Sequence, residues 1–326
     1  PACCGADASR RASARLDGVT IIGGDSPRDG GGLLLEADGD LEEVSPTLSR
    51  LVVEGNRSDF SGGGLAVRAL TGRAAPTIQN VVFAFNGSRL GGGVRVQALA
   101  PDENQPATAA PRILNSLFVD NRVSADGGGL SQGCRDNALA EAVLVNVTVV
   151  NNDADSRGGG LRNVPTEECT VDLSLHNVLV WGNTVPDPAT RGPQIFNGPL
   201  FNDPDPTTRL VLNHALIENG DASETGIADP FVPVDRRNTF LTNPPLFTDS
   251  TDVHGPDGRW ATPDDGFTVT NGSPVLDAGR DALLPSDSTN LDIDFDVTET
   301  LPVDLTSGPR RTANGSGTVT VDLGAY

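Results

Sequence analysis

Between residues 18 and 219 the apolar side chains come in short runs of Val, Leu, Ile and Phe, and polar stretches rich in Asn and Gly separate them. Short runs of branched and aromatic residues are strand composition. Two signatures recur in fixed order. The first is three glycines and an aliphatic residue, at Gly30–Leu33, Gly62–Leu65, Gly91–Val94, Gly127–Leu130 and Gly158–Leu161, with steps of 32, 29, 36 and 31 residues. The second is Asn, two residues, an apolar residue, two residues, Asn: Asn80-Phe83-Asn86, Asn115-Phe118-Asn121, Asn146-Val149-Asn152, Asn177-Val180-Asn183 and Asn213-Leu216-Asn219. Arg50-Val53-Asn56 and Gly18-Ile21-Gly24 are degenerate copies nearer the N-terminus.

A unit repeated about every 31 residues is the mark of a solenoid. Each unit reads as a short strand ending at Asn, a polar loop, the glycine run, a second strand and a variable loop. Stacked coil on coil, these units predict an all-β, right-handed parallel β-helix of about seven coils, roughly 34 Å long at ~4.8 Å per coil. An Asn at the same place in every coil can pass an amide hydrogen bond to the Asn of the next. Asn56, Asn86, Asn121, Asn152 and Asn183 at one position, and Asn80, Asn115, Asn146, Asn177 and Asn213 at the other, are therefore expected to form structural ladders. Val53, Phe83, Phe118, Val149, Val180 and Leu216 should fill the interior. The adjoining column, Ala84, Val119, Val150, Trp181 and Ile217, is apolar where strict alternation would face water, so cover by another part of the same chain is expected. The loops Ala98–Pro111 and Ser131–Glu141 are expected to project from one side, where solenoids often bind partners.

Composition narrows the class. With 38 Gly, 24 Pro and 4% aromatic residues in 326, a helical bundle is disfavoured. No apolar run reaches the roughly 18 residues of a membrane-spanning helix. The net charge of −21 comes from 44 acidic residues against 23 basic ones, all Arg, and it repels nucleic acid and anionic lipid. Such a surface suits a saline or calcium-rich exterior. The chain has no Met and starts at Pro1, as a processed or truncated chain would. Its four cysteines form no C-x-x-C pair, so a zinc site is not expected. Cys134 and Cys169 follow consecutive glycine runs and are expected to pair as a disulfide, which fits an oxidising exterior. Cys3 and Cys4 are adjacent, and their pairing stays open.

The candidate chemistry is acidic. Asp249, Asp252, Asp257, Asp264 and Asp265 lie close together among Gly and Pro, and hard cations take several such oxygen ligands, so this loop is the expected metal site and calcium the expected cofactor. Asp292, Asp294 and Asp296 alternate as on the exposed face of a strand. Catalysis is disfavoured. The chain has no Lys, and Asp264-Asp265 is its only Asp pair. Its three His are His176 and His214 in repeat strands and His254 in the acidic loop. No nucleophile–base constellation assembles by spacing. Of the five N-x-[ST] sequons, those at Asn56, Asn86 and Asn146 fall on ladder positions and read as coincidence.

G-G-G-[LV] paired with F-x-x-N, as in Phe83-Asn86 and Phe118-Asn121, resembles the repeats of polymorphic outer-membrane protein adhesins. The chain is more similar to secreted right-handed parallel β-helix proteins of the choice-of-anchor type. Pro245–Asp249, Gly255–Gly258, Thr262–Gly266, Asn271–Gly279 and the closing Val321–Tyr326 carry that likeness. The resemblance implies an exported, surface-attached or matrix protein. The expected organisation is β-helix coils over 1–225 and an Asp-rich extension or cap over 226–326, as one continuous domain. The expected function is non-catalytic: a secreted or cell-surface structural or adhesion protein whose partners are further copies of itself, an extracellular glycan or a surface receptor. The alternative is a β-helix that binds or cleaves an extracellular polysaccharide.

Overall fold

The computed structural model describes residues 11–326 apart from 13, 102–104, 167, 200–206, 221–225, 229–234, 242, 288–289, 293 and 312–318. Its parallel strands stack into a β-solenoid of about six turns with almost no helix. Ile21, Val53, Phe83, Phe118, Val149, Val180 and Ile217 follow one another in register from coil to coil. The stack has about six turns, against the about seven coils that the seven signatures predict. The stacking continues past residue 225, since strand Asp235–Leu241 pairs with Thr207–Ile217.

The last repeat is displaced by one residue from its expected frame. Ile217 belongs to the interior and Leu216 to the outer column. Asn213 pairs with His176, while His214 takes the corner place of Asn177, with φ of 56° and 51°. Asn213 is therefore not a rung of the expected ladder: its spacing to Leu216 matches the motif one residue early.

Inside the coils the apolar column is sealed. Phe83 and Phe118 are fully buried and stack at 5.0 Å with their planes 20° apart. Burying a side chain of this size contributes about 1.5–3 kcal/mol. Beside it runs a ladder through Asn56, Asn86, Asn121, Asn152 and Asn183. Each Nδ2 donates to the Oδ1 of the next coil at 3.1, 3.0, 2.8 and 2.9 Å, and the last passes to Gln194 Oε1 at 2.7 Å. Each Oδ1 from Asn86 onward also accepts the backbone N–H of the preceding Asn, at 2.9–3.0 Å. Each Nδ2 also reaches a carbonyl one coil back, as Asn121 does to Phe83 O at 2.9 Å. A buried amide left unpaired would be costly, and here the side-chain oxygen and nitrogen both have partners. The glycine runs follow from the same close stacking. Gly62 turns with φ 68°, and a Cβ on Gly63 would lie 2.5 Å from Gly87 O.

The second Asn column behaves differently. Asn80, Asn115, Asn146 and Asn177 sit in left-handed backbone, φ 45–54°, which Asn tolerates better than most residues. Only Asn177 donates to another member of its own column, Asn146, and at 3.4 Å. Their amides reach out to the C-terminal chain instead. Asn80 donates to Asp304 O at 2.8 Å, Asn115 to Val303 O, Asn146 to Asp322 O at 3.2 Å and Asn177 to Arg280 O at 3.3 Å. Arg50 extends the column with a bond to Leu291 O at 3.3 Å. These residues clamp a cover onto the solenoid.

That cover is a run of turns with three isolated antiparallel bridges, Phe247 to Val269, Ser286 to Thr300 and Val303 to Pro309. It lies along the side of the coils. Beneath it Val82, Ala84, Leu117, Val119, Val150, Leu179 and Leu216 pack against Trp260, Phe267, Val275, Leu305, Leu323 and Ala325. Trp181 is half-buried against the same cluster. Arg310, 3% exposed, ties the last residues together by donating to the carbonyls of Asp322, Gly324, Ala325 and Tyr326. Burial pushes its guanidinium down to about 10.

Replacing Asn121 with Ala removes both an acceptor and a donor from the sealed ladder and orphans its neighbours. At about 1–3 kcal/mol for each group left unpaired, chemical denaturation should show a loss of at least about 3 kcal/mol. A loss below about 1 kcal/mol would mean the ladder contributes little to stability.

Candidate functional site

Five short strands, Asp25–Ser26, Arg57–Ser58, Gly87–Leu90, Arg122–Asp126 and Asp153–Ala154, make a second parallel sheet on another side of the solenoid. Its register stacks Asp25, Arg57, Gly87, Arg122 and Asp153 in one column. Gly87 thus stands between two arginines that are two coils, roughly 10 Å, apart. A Cβ built on Gly87 would meet only Arg122 O, at 3.7 Å, so the position is open. The result is a notch of about 320 Å³ whose lining includes Arg57, Arg89 and Arg122 together with Ser88, Asp59 and Asp155.

The charges here are unusual for a chain with 44 carboxylates. Arg122 shares its charge with Asp153 at 3.4 Å and Asp155 at 3.8 Å, but its side chain is 73% exposed, and such pairs are weak. Arg57 and Arg89 have no carboxylate within ion-pair distance among the described residues. Three guanidiniums around a glycine floor can hold a carboxylate, sulfate or phosphate group.

Two further arginines have a structural task. Arg95 and Arg162 are 6% and 4% exposed and both donate to Ser131 Oγ, at 2.8 and 3.5 Å. Arg162 Nε lies 3.2 Å from Asp126, an ion pair too bent to count as a hydrogen bond. Burial, reinforced by neighbouring Arg162, pushes Arg95 down to about 9.

No protein-family model matches the chain, and no curated protein or solved structure matches it.

The five aspartates expected to hold calcium do not converge. Among the described residues no three of them bring oxygens within 4.8 Å of one another. Four of them accept local hydrogen bonds instead. Asp249 accepts from Thr251 N at 3.0 Å, Asp257 from Arg259 N at 2.8 Å, and Asp264 from Asp257 N at 3.1 Å and the Thr262 hydroxyl at 2.8 Å. Asp252 is exposed. Asp265 is buried within the cover and accepts from Ala261 N at 2.9 Å, Thr262 Oγ1 at 3.1 Å and the Tyr326 hydroxyl at 2.8 Å. The run Asp292, Asp294, Asp296 is not a strand. Asp292 accepts from Asp294 N, Asp294 from Asp296 N and Asp296 from Thr298 N, at 3.4, 2.7 and 2.8 Å, the local bonding that lets Asp compete with sheet pairing. It does bring Asp292 beside Asp287 and Glu299, the trio among the described residues whose oxygens come within 4.8 Å and could share a cation.

Cys134 and Cys169 form a disulfide between neighbouring coils. Closing a loop of 35 residues contributes roughly 4 kcal/mol in the chain-entropy picture. Cys3 and Cys4 lie outside the described residues. Sequence reasoning missed the arginine notch, because Arg57, Gly87 and Arg122 share a column only once the register is known. It also missed an interior polar ladder, in which Gln132 donates to Asn163 at 3.0 Å and Asn163 to Asn197 at 2.8 Å. Aligning the residue two places after each glycine-run aliphatic would have exposed that column.

Burial raises the Asp265 carboxyl above its ordinary 3.8, against the pull of its hydrogen bonds. The folded state therefore holds this proton more tightly than the unfolded chain. Its stabilising contribution is present below pH 3.8 and is lost as pH climbs through the raised folded value. The melting temperature of wild type relative to Asp265→Asn should accordingly fall as pH rises from about 4 to 7.5. A difference that does not change with pH would contradict this assignment.

Proposed function

We propose that the protein is a non-catalytic structural and adhesive rod of the cell exterior. The observation that carries this reading is how its polar side chains are used. One Asn column locks coil to coil, the other locks the cover to the coils, and a disulfide fastens neighbouring coils. The design yields a stiff body with a long side surface. A disulfide and a net charge of −21 both suit an oxidising, saline exterior. Membership of the choice-of-anchor group belongs to the same proposal. It is supported by the G-G-G-[LV] and F-x-x-N repeats and by the segments 271–279 and 321–326, which the fold uses as cover.

The arginine notch favours a second reading, in which the rod binds an acidic polysaccharide. The net charge repels such a polymer at long range, while the notch attracts one charged group at short range. Screening separates these effects. At about 10 mM salt the Debye length of ~30 Å lets the whole negative surface act, at about 0.15 M it shrinks to ~8 Å and the notch acts alone, and at about 1 M (~3 Å) both fade.

Protein-coated beads on immobilised polygalacturonate should therefore be retained best near 0.15 M salt and less at both extremes, and Arg57→Ala with Arg122→Ala should abolish retention. The polymer should gain no new reducing or unsaturated ends. New chain ends would overturn the non-catalytic reading. Retention that rises steadily as salt is lowered, or that survives loss of both arginines, would overturn the notch.

A further inference from the structure

After each interior strand the chain turns on one left-handed residue, and the successive occupants are Gly23, Gly55, Phe85, Asp120, Asn151, Gly182 and Asn219. Glycine, asparagine and aspartate tolerate that backbone. Phe85, at φ 53°, is the exception. A bulky aromatic residue held there stores strain, and stored strain concentrates where a protein has a use for it. Interior packing is not that use, because Phe85 is 42% exposed whereas Phe83, two residues earlier, is fully buried.

The surroundings of Phe85 are chemically equipped. Its ring centre lies 6.1 Å from those of His254 and Trp260, with planes tilted by 32° and 47°, and His254 and Trp260 are 4.2 Å apart. Glu54 Oε1 is 3.9 Å from His254 Nε2. Asp120 holds the equivalent corner of the next coil, where burial raises its carboxyl and nearby His254 opposes the rise. Trp260 is 9% exposed, and its indole N–H has no acceptor. An exposed ring thus stands beside two carboxylates, an imidazole and the edge of a buried indole.

We propose that Phe85, Trp260, His254, Glu54 and Asp120 form a binding site for a neutral sugar unit of an extracellular glycan. A sugar ring lays its C–H face on an aromatic ring, and its hydroxyls can donate to carboxylates and accept from an imidazole N–H. A quaternary ammonium group would suit the rings and carboxylates but has no hydroxyl to donate to Glu54 and Asp120 or to accept from the imidazole. A uronate or nucleotide would meet Glu54 and Asp120 in a chain of net charge −21. The site is separate from the arginine notch and does not depend on it.

The test uses the whole chain on an array of neutral oligosaccharides, beta-linked glucans, xylans, mannans and galactans, with immobilised choline as the cationic probe. Phe85→Asn keeps a residue that fits the corner and removes the ring, and Phe85→Tyr keeps the ring. Wild type and Phe85→Tyr should hold at least one neutral oligosaccharide, with little dependence on salt and no dependence on Arg57. Phe85→Asn should bind it about tenfold or more weakly while melting at the same or a higher temperature. The proposal is overturned if no neutral glycan distinguishes wild type from Phe85→Asn, or if choline is the probe retained. It is equally overturned if Phe85→Asn melts several degrees lower with binding unchanged, which would make Phe85 a packing residue.

Discussion

The fold depends on one property of the carboxamide: a single side chain can donate in one direction along a stack and accept from the other. Parallel coils repeat at about 4.8 Å, and the Asn56 to Asn183 ladder spans that repeat four times with side-chain bonds of 2.8–3.1 Å. Aspartate at these places would stack like charges in a sealed interior, and serine would be too short to bridge coil to coil. With the ladder in place the register of every coil is fixed. Phe83 then falls over Phe118, and the glycine runs must come so close that a side chain on Gly63 has no room.

The same residue type solves a second problem. Parallel coils expose an apolar column at Ala84, Val119 and Val150 that water would penalise, and the C-terminal chain covers it. A chain of turns has little regular hydrogen bonding of its own, so it needs partners. The corner Asn residues supply them, because a left-handed corner directs their amides away from the coil and toward the cover. Arg310 completes the attachment by gathering the carbonyls of the last residues. The terminal segment is thereby part of the fold, a second wall whose removal would expose the apolar column.

Much of this was legible in the sequence. The repeat period, the interior column, the inner ladder and the need for cover over the Trp181 column all follow from spacing, because a solenoid writes its geometry into a fixed period. What spacing left unread has a common cause. Asn80 and Asn86 look alike in the motif, yet one faces the cover and the other the next coil, a difference set by φ. Asn213 matched a pattern one residue early because Asn-rich text offers two frames. In the 249–265 loop Asp249, Asp257 and Asp264 are close in sequence, and each accepts hydrogen bonds from its own loop. The arginine notch and the Phe85 patch join residues some 30 positions or more apart, and only the register brings them together.

Both surface features are departures from the repeat: a glycine between two arginines, and a phenylalanine where the corner otherwise takes glycine, asparagine or aspartate. A scaffold this regular makes such departures conspicuous, and the rigid double wall holds them in fixed positions. The double wall depends on the C-terminal chain being an integral wall of the fold. Native-state hydrogen exchange tests it most directly, at Gly279, Leu323, Gly324 and Ala325, whose amides donate to Val321 O, Val275 O, Asn177 O and Thr148 Oγ1 at 2.8, 3.0, 2.9 and 2.9 Å. These amides should be protected to the same order as those of Asn86 and Asn121 in the ladder and open with the whole molecule. Exchange as fast as in the exposed turn at 256–259 would show that the cover is a loosely held appendage.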